Sequence, residues 1–300
     1  MSHISVQHRP FRKTLLKWLL VGLGSISGIY FVLCLFLIVC QNRMIFRPTK
    51  TLENFPTAYA LDHQEVWLPV KNSVQIHGWW LPSQANSNGK ALLFLHGNSY
   101  NVGENLFHAK RFVDMGFSVL LMDYRGYGLS GGKFPDESQV YEDAQVMYDY
   151  LLETQGFAPD QIFVYGHSLG GAIAIELVKN NPAAGLITEG TFTSMSDVAT
   201  YSGKYSLMPV NLLLHQRFES LSKIPEITIP TLFIHGIEDD VIPAAMGQTL
   251  YNSAIAPKQL FLVPEAGHND VAKTAGQSYD KAILAFKEFA ISQTSATLAP

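Results

Sequence analysis

The chain has 300 residues and a formal net charge of −4 at pH 7, and its two cysteines are Cys34 and Cys40. Beyond the first 50 residues there is no cluster of lysine and arginine, which argues against a nucleic-acid partner. Both cysteines lie in an apolar N-terminal stretch, so the rest of the chain has no thiol for a disulfide, a zinc site or thiol chemistry.

The first predicted element is an apolar stretch of 23 residues, Trp18 to Cys40, without a charged side chain. At about 1.5 Å per helical residue it reaches roughly 35 Å, enough to cross a hydrocarbon core of about 30 Å. We therefore predict a transmembrane helix over 18–40, after a basic segment over 1–17 and before a linker over 41–60. No small-residue cleavage site follows the stretch, which favours an uncleaved signal-anchor over a signal peptide.

Basic residues flank this span on both sides: Arg9, Arg12, Lys13, Lys17, Arg43, Arg47 and Lys50. Four of them precede the span and three follow it. By the positive-inside rule this small excess predicts a cytoplasmic N-terminus, with the remainder of the chain outside the cytoplasm.

The next elements are strands. "EVWLPV" and "SVQIHGWWLP" alternate in polarity around a short "KN" turn, which predicts an antiparallel hairpin. Six apolar runs follow and predict strands of a mostly parallel sheet covered on both faces: "ALLFLHG", "FSVLLMDY", "QIFVYG", "GLITEG", "TLFIHG" and "QLFLVPEAG". Eight strands with helical crossovers predict one α/β domain over 61–292.

Helices between the strands are indicated by apolar residues at helical spacing: Val140, Ala144, Met147 and Leu151, then Tyr279, Ile283 and Phe286. Residues 191–229 interrupt the alternation between the sixth and seventh strands. Their length and their aromatic, leucine and methionine content are typical of a lid or a pocket wall. The final residues, 293–300, are predicted to be a disordered tail.

One short motif carries the chemistry, "VYGHSLGG" at 164–171. Gly166 and Gly170 flank Ser168 at two residues on either side, between a predicted strand and an apolar helix. This spacing suits a sharp turn that exposes the serine hydroxyl, since larger flanking side chains would collide there. The pattern predicts a nucleophile elbow with Ser168 as nucleophile.

A serine hydroxyl needs a base to take its proton and a third group to orient that base. Among ten histidines, His268 lies on a glycine-led loop after the last predicted strand, and it is the predicted base. His167 and His235, next to the serine and at a strand end, are interpreted as structural. The loop after "TLFIHG" offers three acids, Glu238, Asp239 and Asp240, as the third group.

The tetrahedral intermediate of acyl transfer carries negative charge on an oxygen, which backbone N–H groups stabilise. One predicted donor is Leu169, directly after the serine and at the start of a helix, whose dipole adds to the effect. The loop "HGNS" after the third strand nominates the backbone N–H of Asn98 as the second donor.

Taken together, eight motifs resemble the α/β-hydrolase fold family, and more closely its membrane-anchored Bem-like and ABHD-type members: "QNRMIFRP", "LFLHGNS", "DYRGYGLSGG", "YGHSLGG", "TEGTFTS", "RFESLSKI", "HGIEDDVIP" and "PEAGHND". They run in order over residues 41–270. The resemblance implies Ser168 as nucleophile, Asp239 as acid, His268 as base and a short N-terminal membrane anchor. It places Asp123, Arg125 and Gly126 in a signature turn after the fourth strand. We interpret the Asp-Arg pair of this turn as a structural salt bridge.

We therefore predict a membrane-anchored serine hydrolase that cleaves an ester or thioester through an acyl-serine intermediate. Alternatives are a catalytically silent scaffold or binding protein, and a serine peptidase or amidase on the same fold. No metal or organic cofactor motif is present, and none is predicted. The expected substrate is a small-molecule or lipid acyl compound, with acyl-lipid or acyl-protein implied by analogy.

Overall fold

The computed structural model describes residues 10–83 and 87–297. At its centre is an eight-stranded sheet that contains all eight strands predicted from the sequence. Two further strands of two residues each pair with one another outside it. The strands, numbered in chain order, are β1 (Arg47–Pro48), β2 (Gln64–Val70), β3 (Val74–Leu81), β4 (Ala91–Leu95), β5 (Ser99–Tyr100), β6 (Ser118–Met122), β7 (Ile162–His167), β8 (Gly185–Glu189), β9 (Thr231–Gly236) and β10 (Lys258–Val263).

The large sheet has the order β10-β9-β8-β7-β4-β6-β3-β2. Its strands are parallel from β10 to β6, and only β3 runs antiparallel to its neighbours β6 and β2. Strand β6 lies on one side of β4 in the sheet, and β7, which comes later in the chain, lies on the other side. The loops after β4 and β7 therefore meet at the carboxyl edge of the sheet, where α/β proteins bind their ligands.

The α-helices of the described residues, numbered in chain order, are α1 (Pro10–Ile45), α2 (Val102–Asp114), α3 (Glu137–Glu153), α4 (Leu169–Asn180), α5 (Met195–Tyr201), α6 (Val210–Leu213), α7 (Ser220–Lys223), α8 (Ala244–Ser253), α9 (Val271–Ala275) and α10 (Gln277–Thr297). Four short 3₁₀ helices lie at Pro56–Tyr59, Lys71–Ser73, Pro159–Gln161 and Ile224–Glu226.

Helices cover both faces of the sheet. Leu93 and Leu95 of β4 point to the core beneath α3, α4 and α8, whereas Leu92 and Phe94 point to the core beneath α2 and α10. Because both sets are buried, the strands appear in the sequence as continuous apolar runs rather than alternating ones. The apolar positions predicted from helical spacing in α3 and α10 are all buried in these two cores.

Helix α1 stands apart from the domain over most of its length. It has 36 residues and includes the predicted span 18–40. Within Lys13–Ile45 an 18-residue window has a mean hydropathy of 2.4 and buries none of its residues. The helix is a candidate membrane anchor by length and composition.

The segment predicted as a linker, 41–60, is held against the domain along part of its length. Helix α1 continues through Ile45, and the next residue, Phe46, is fully buried. Strand β1 then pairs in parallel with β5, with Arg47 opposite Ser99. The end of the candidate anchor is thereby fixed in position relative to the sheet.

The insertion over 191–229 folds into three short helices, α5, α6 and α7, and one 3₁₀ turn. At the other end of the chain, α10 continues to Thr297, although a disordered tail was predicted over 293–300. No glycine or proline interrupts the chain between 277 and 297, so the helix has no stop signal there. Residues 298–300 lie outside the described residues.

The signature turn after β6 contains a buried ion pair, but its acid is not Asp123. The Arg125 guanidinium bonds to Asp143 of α3, with Nε 2.9 Å from Oδ1, and to Glu142, with Nη2 2.7 Å from Oε2. Asp123 instead accepts the backbone N–H of Val102 at 3.0 Å. The pair ties the loop after β6 to α3.

Replacing Asp143 with alanine leaves Arg125 buried without its main partner. We expect the free energy of unfolding to fall by about 3–5 kcal/mol, the usual effect of breaking a buried ion pair. The matched control is Asp149→Ala on the same helix, where the carboxylate accepts a single hydrogen bond from Gln145 and is only partly buried. Urea unfolding of both variants in detergent checks the difference, and equal losses would contradict it.

Candidate active site

The turn between β7 and α4 holds Ser168 in a strained conformation. Its φ and ψ are 52° and −118°, a region that residues with a side chain rarely adopt. A Cβ on Gly166 would lie 2.3 Å from the carbonyl oxygen of Gly170, and a Cβ on Gly170 would lie 2.0 Å from that of Leu95. Both glycines are required because backbone segments meet at the turn.

Three side chains that are far apart in sequence come together at this turn. Ser168 Oγ lies 3.0 Å from His268 Nε2, and His268 Nδ1 lies 2.7 Å from Asp239 Oδ2. Each residue occupies the loop at the carboxyl end of its own strand, β7, β10 and β9, and all three side chains are buried. The arrangement has the geometry of a nucleophile, a base and an orienting acid.

The three acids of the loop after β9 differ in burial and direction. Only Asp239 is buried and directed at His268, while Glu238 and Asp240 are exposed. Asp239 Oδ1 also accepts the backbone N–H groups of Val241 and Ile242, at 2.9 and 2.8 Å.

The carboxylate of Asp239 lies against two imidazoles. His235 Nε2 lies 3.3 Å from Asp239 Oδ2, while also bonding to the carbonyl oxygen of Ile242 at 2.9 Å. Burial by itself would raise the pKa of Asp239, but the hydrogen bonds from His235 and His268 outweigh it and lower the pKa well below its usual range. The carboxylate therefore stays ionised at neutral pH.

The two candidate N–H donors border Ser168. Leu169 is the first residue of α4, so its N–H has no acceptor within the helix and lies at the positive end of the dipole. The loop of Asn98 packs on the elbow, because a Cβ on Gly97 would be 3.5 Å from the Cβ of Ser168. Tyr127 fixes this loop by donating its hydroxyl to the Asn98 carbonyl oxygen at 2.7 Å.

The end of the candidate anchor also holds this loop, which sequence reasoning missed. The backbone N–H of Arg47 donates to the Asn98 carbonyl oxygen at 2.8 Å, and Asn98 Nδ2 donates to the carbonyl oxygen of Ile45 at 2.9 Å. The motif "QNRMIFRP" was the available signal, but a pairing between residues about 50 positions apart cannot be inferred from it.

Glu189, at the end of β8, is a second residue that sequence reasoning missed. Its backbone oxygen accepts the N–H of Ser168 at 2.8 Å, and its buried carboxylate accepts hydroxyl groups from Tyr279 at 2.6 Å and Tyr165 at 3.1 Å. These contacts connect the elbow to α10. The available signals were an acid at the end of an apolar run and the motif "TEGTFTS", which contains Glu189.

A cavity of about 1110 Å³ opens over Ser168 and His268. Its walls come from the loops at the carboxyl edge of the sheet, from the insertion and from the last turns of α1. Apolar side chains of α1 and the insertion that line it include Leu37, Met44, Phe192, Met195, Met208 and Leu213. The part of the cavity that these side chains form therefore suits an apolar group of a substrate.

Comparison with known proteins identifies the family of the chain. The chain is 30% identical over 274 residues to the alpha/beta hydrolase domain-containing protein WAV2 of Arabidopsis thaliana, covering 84% of this chain and 89% of that protein. It is 30% identical to protein bem46 of Schizosaccharomyces pombe over 80% of this chain and 82% of the relative. The chain belongs to the α/β-hydrolases of the Bem46 and ABHD type.

Two further comparisons concern the wider hydrolase family and the fold. Residues 86–223 match the hydrolase family described as serine aminopeptidase, S33. An esterase from Pyrococcus furiosus has the same fold, with a TM-score of 0.67 and 19% identity over 82% of this chain and 99% of that structure. The predicted α/β-hydrolase fold is thus confirmed.

The pKa of His167, the residue directly before Ser168, is also shifted. Burial, together with the nearby His268, lowers the pKa of His167 from 6.5 to about 4. Its Nε2 lies 3.0 Å from the His268 carbonyl oxygen, to which the neutral ring donates. The ring therefore supports the backbone of the His268 loop.

Because His167 binds a proton near pH 6.5 in the unfolded chain and near pH 4 in the folded one, the unfolded state holds more protons between these values. Its contribution to stability is complete above about pH 6.5 and is lost as the pH falls towards 4. In urea unfolding at pH 7, 6 and 5, we expect His167→Gln to reduce the slope of stability against pH by up to about 1.4 kcal/mol per pH unit. The exposed His215, replaced with glutamine, is the control. An unchanged slope in His167→Gln would contradict this role.

Proposed function

We propose that this protein is a membrane-anchored serine hydrolase that cleaves ester or thioester bonds of acyl compounds through an acyl-serine intermediate. The observation that carries the proposal is the hydrogen-bonded series Ser168, His268 and Asp239 on a strained elbow. The α/β-hydrolase family supports hydrolysis as the type of reaction. Helix α1 is the proposed anchor, and the cytoplasmic N-terminus stays a prediction from the flanking charges.

In the first half-reaction, His268 Nε2 takes the proton of Ser168 Oγ while this oxygen attacks the substrate carbonyl carbon. The imidazolium that forms is stabilised by the ionised Asp239, to which it donates through Nδ1. The oxygen of the tetrahedral intermediate accepts the backbone N–H groups of Leu169 and Asn98. His268 then gives its proton to the departing alcohol or thiol, which leaves the acyl group on Ser168.

In the second half-reaction, His268 takes a proton from water, and the resulting hydroxide attacks the acyl carbonyl carbon. Collapse of this second tetrahedral intermediate releases the acid and returns the proton from His268 to Ser168 Oγ. The same two N–H donors serve both steps, because the charge develops at the same position.

The apolar side chains that α1 and the insertion contribute to the cavity favour an acyl chain as the group held there. An acyl-lipid or acyl-protein substrate suits an enzyme whose anchor reaches the wall of its own cavity. The alternative of a peptidase or amidase draws on the family description, serine aminopeptidase. A catalytically silent scaffold is disfavoured, because it would not need the three side chains within hydrogen-bond distance.

The nucleophile is tested with a fluorophosphonate probe, which reacts with activated serines. We expect the purified protein in detergent to be labelled at Ser168, Ser168→Ala to show no labelling, and His268→Ala to react at least about 100-fold more slowly, because the general base is lost. Thr193→Ala, a hydroxyl removal in the insertion, is the control and should be labelled normally. A folded protein that does not react would favour the scaffold alternative.

The role of Asp239 as the acid is tested by replacing aspartate with asparagine at two adjacent positions, in separate variants. Asp239→Asn places an amide against His268 and removes the charge that stabilises its protonated form, so we expect kcat to fall by about 10²- to 10⁴-fold. Asp240→Asn, at the exposed neighbour, should leave kcat unchanged. Kinetics with one ester substrate measure both, and a larger loss in Asp240→Asn would reassign the acid.

A further inference from the structure

The insertion contains an apolar segment that the folded domain covers only in part. Residues 205–214, "YSLMPVNLLL", contain no charged side chain and are flanked by Lys204 and His215. Leu207 is 83% exposed and Leu212 is 80% exposed. Soluble surfaces rarely leave neighbouring large apolar side chains so accessible, and such patches usually mark an interaction site.

This segment lies along α1, deep within the candidate membrane span. The hydroxyl of Tyr30 donates to the carbonyl oxygen of Leu207 at 3.0 Å, and Cys34 Sγ lies 4.0 Å from Met208 Sδ. Tyr30 is ten residues before Cys40, which corresponds to roughly 15 Å along a helix. That distance is about half of a hydrocarbon core of about 30 Å. If the predicted span crosses a bilayer, Leu207 reaches its middle.

A buried amide fixes the segment to the helix. Gln41, which is only 7% exposed, accepts the backbone N–H groups of His215 at 2.8 Å and Gln216 at 3.2 Å through Oε1. Its Nε2 donates to the carbonyl oxygens of Ile38 at 2.9 Å and Leu213 at 3.4 Å. Both the oxygen and the nitrogen of the amide are hydrogen-bonded. The insertion is therefore held against α1 by specific bonds.

The contacts lie on a single face of α1. Tyr30, Cys34, Leu37, Gln41 and Met44 follow the spacing of one helix stripe, and this stripe faces the insertion and the cavity. On the other faces of α1 in this range, the exposed apolar side chains are Phe31, Val32, Leu33, Leu35, Phe36 and Val39. Where the two elements pack together, the candidate anchor and the insertion therefore both expose large apolar side chains.

The cavity lies between these two elements. Leu37 and Met44 of α1 line it from one side, and Met208 and Leu213 of the insertion line it from the other. Lys204, at the edge of the apolar segment, also lines the cavity, where its ammonium group can remain in a polar setting. Both elements thus contribute apolar side chains to the wall of the cavity that contains Ser168.

We propose that residues 205–214 are a second membrane-contacting element, seated in the hydrocarbon beside α1, which opens the cavity of Ser168 to the bilayer. The occupant of this surface is the acyl-chain region of the lipid. Seating in the bilayer is independent of the chemistry at Ser168. The consequence that acyl substrates reach the cavity from within the bilayer rests on the proposed function.

Seating is tested by the depth of single fluorophores. In a Cys34→Ala, Cys40→Ala background, cysteine is introduced separately by Leu207→Cys, Ile26→Cys and Ile255→Cys, labelled, and reconstituted in phosphatidylcholine vesicles with or without bromine on the lipid chains. Ile26 is on α1, and Ile255 is 74% exposed on the domain. We expect at least twofold quenching by brominated lipid at positions 207 and 26, and none at 255.

The three positions separate the possible failures. Quenching at 26 without quenching at 207 would overturn the second contact while leaving the anchor intact. Absence of quenching at both positions would overturn the anchor as well as the second contact. None of these readings depends on hydrolysis, so they remain decisive if Ser168 proves unreactive.

The route to the cavity is tested by activity. Leu207→Asp combined with Leu212→Asp should lower kcat/KM at least tenfold for a long-chain ester held in vesicles, while a short, water-soluble ester is cleaved as before. Ile255→Asp, which places one aspartate at an exposed apolar position away from α1, should leave both rates unchanged. Equal losses on the two esters, or no loss on either, would overturn the route from the bilayer.

Discussion

The close approach of three backbone segments at the elbow is the constraint on which the rest of the site depends. Ser168 keeps its φ of 52° because α4 begins directly beneath β7 and against the end of β4. The absence of side chains at Gly166 and Gly170 permits this contact, and the surrounding sheet and helix hold the strained residue in place. The hydroxyl is thereby fixed at the carboxyl edge of the sheet, where the other loops converge.

Buried charges around the elbow are each balanced by specific partners. Asp239 accepts two backbone N–H groups and lies against two imidazoles, and Glu189 accepts two tyrosine hydroxyls. A buried carboxylate without such partners would be costly. These partners come from different loops and helices. The bonds that stabilise the carboxylates therefore also fix the positions of the loops relative to one another.

The end of α1 contributes to the domain as well as to the candidate membrane span. Its last residues and β1 bond to the loop of Asn98, and Gln41 bonds to the insertion. One helix thus touches both the loop beside Ser168 and the wall of the cavity. Helix α1 therefore joins the domain without a flexible linker. Displacing it would disturb both contacts.

The sequence alone determined the features that depend on local pattern. Six continuous apolar runs predicted the strands from β4 to β10 of the large sheet, because strands covered on both faces need apolar residues at successive positions. Alternating polarity around a short turn predicted the other two, β2 and β3. The glycines around Ser168 predicted the elbow, because few local conformations require glycine at both positions. The order of the strands and the loops after the last two of them were enough to nominate His268 and a group of three acids.

Tertiary structure decided what depends on direction and distance. Glu238, Asp239 and Asp240 all carry a carboxyl group and are adjacent in sequence. The turn after β9 directs only Asp239 inward. The partner of Arg125 is Asp143 on a following helix rather than the nearby Asp123, because helix packing brings it close. The contacts of Gln41 with residues more than 170 positions away have no local signature, since hydrogen bonds between distant segments form only after the chain has folded. For the same reason, the sequence predicted an anchor and an insertion, and only the fold placed them side by side around one cavity.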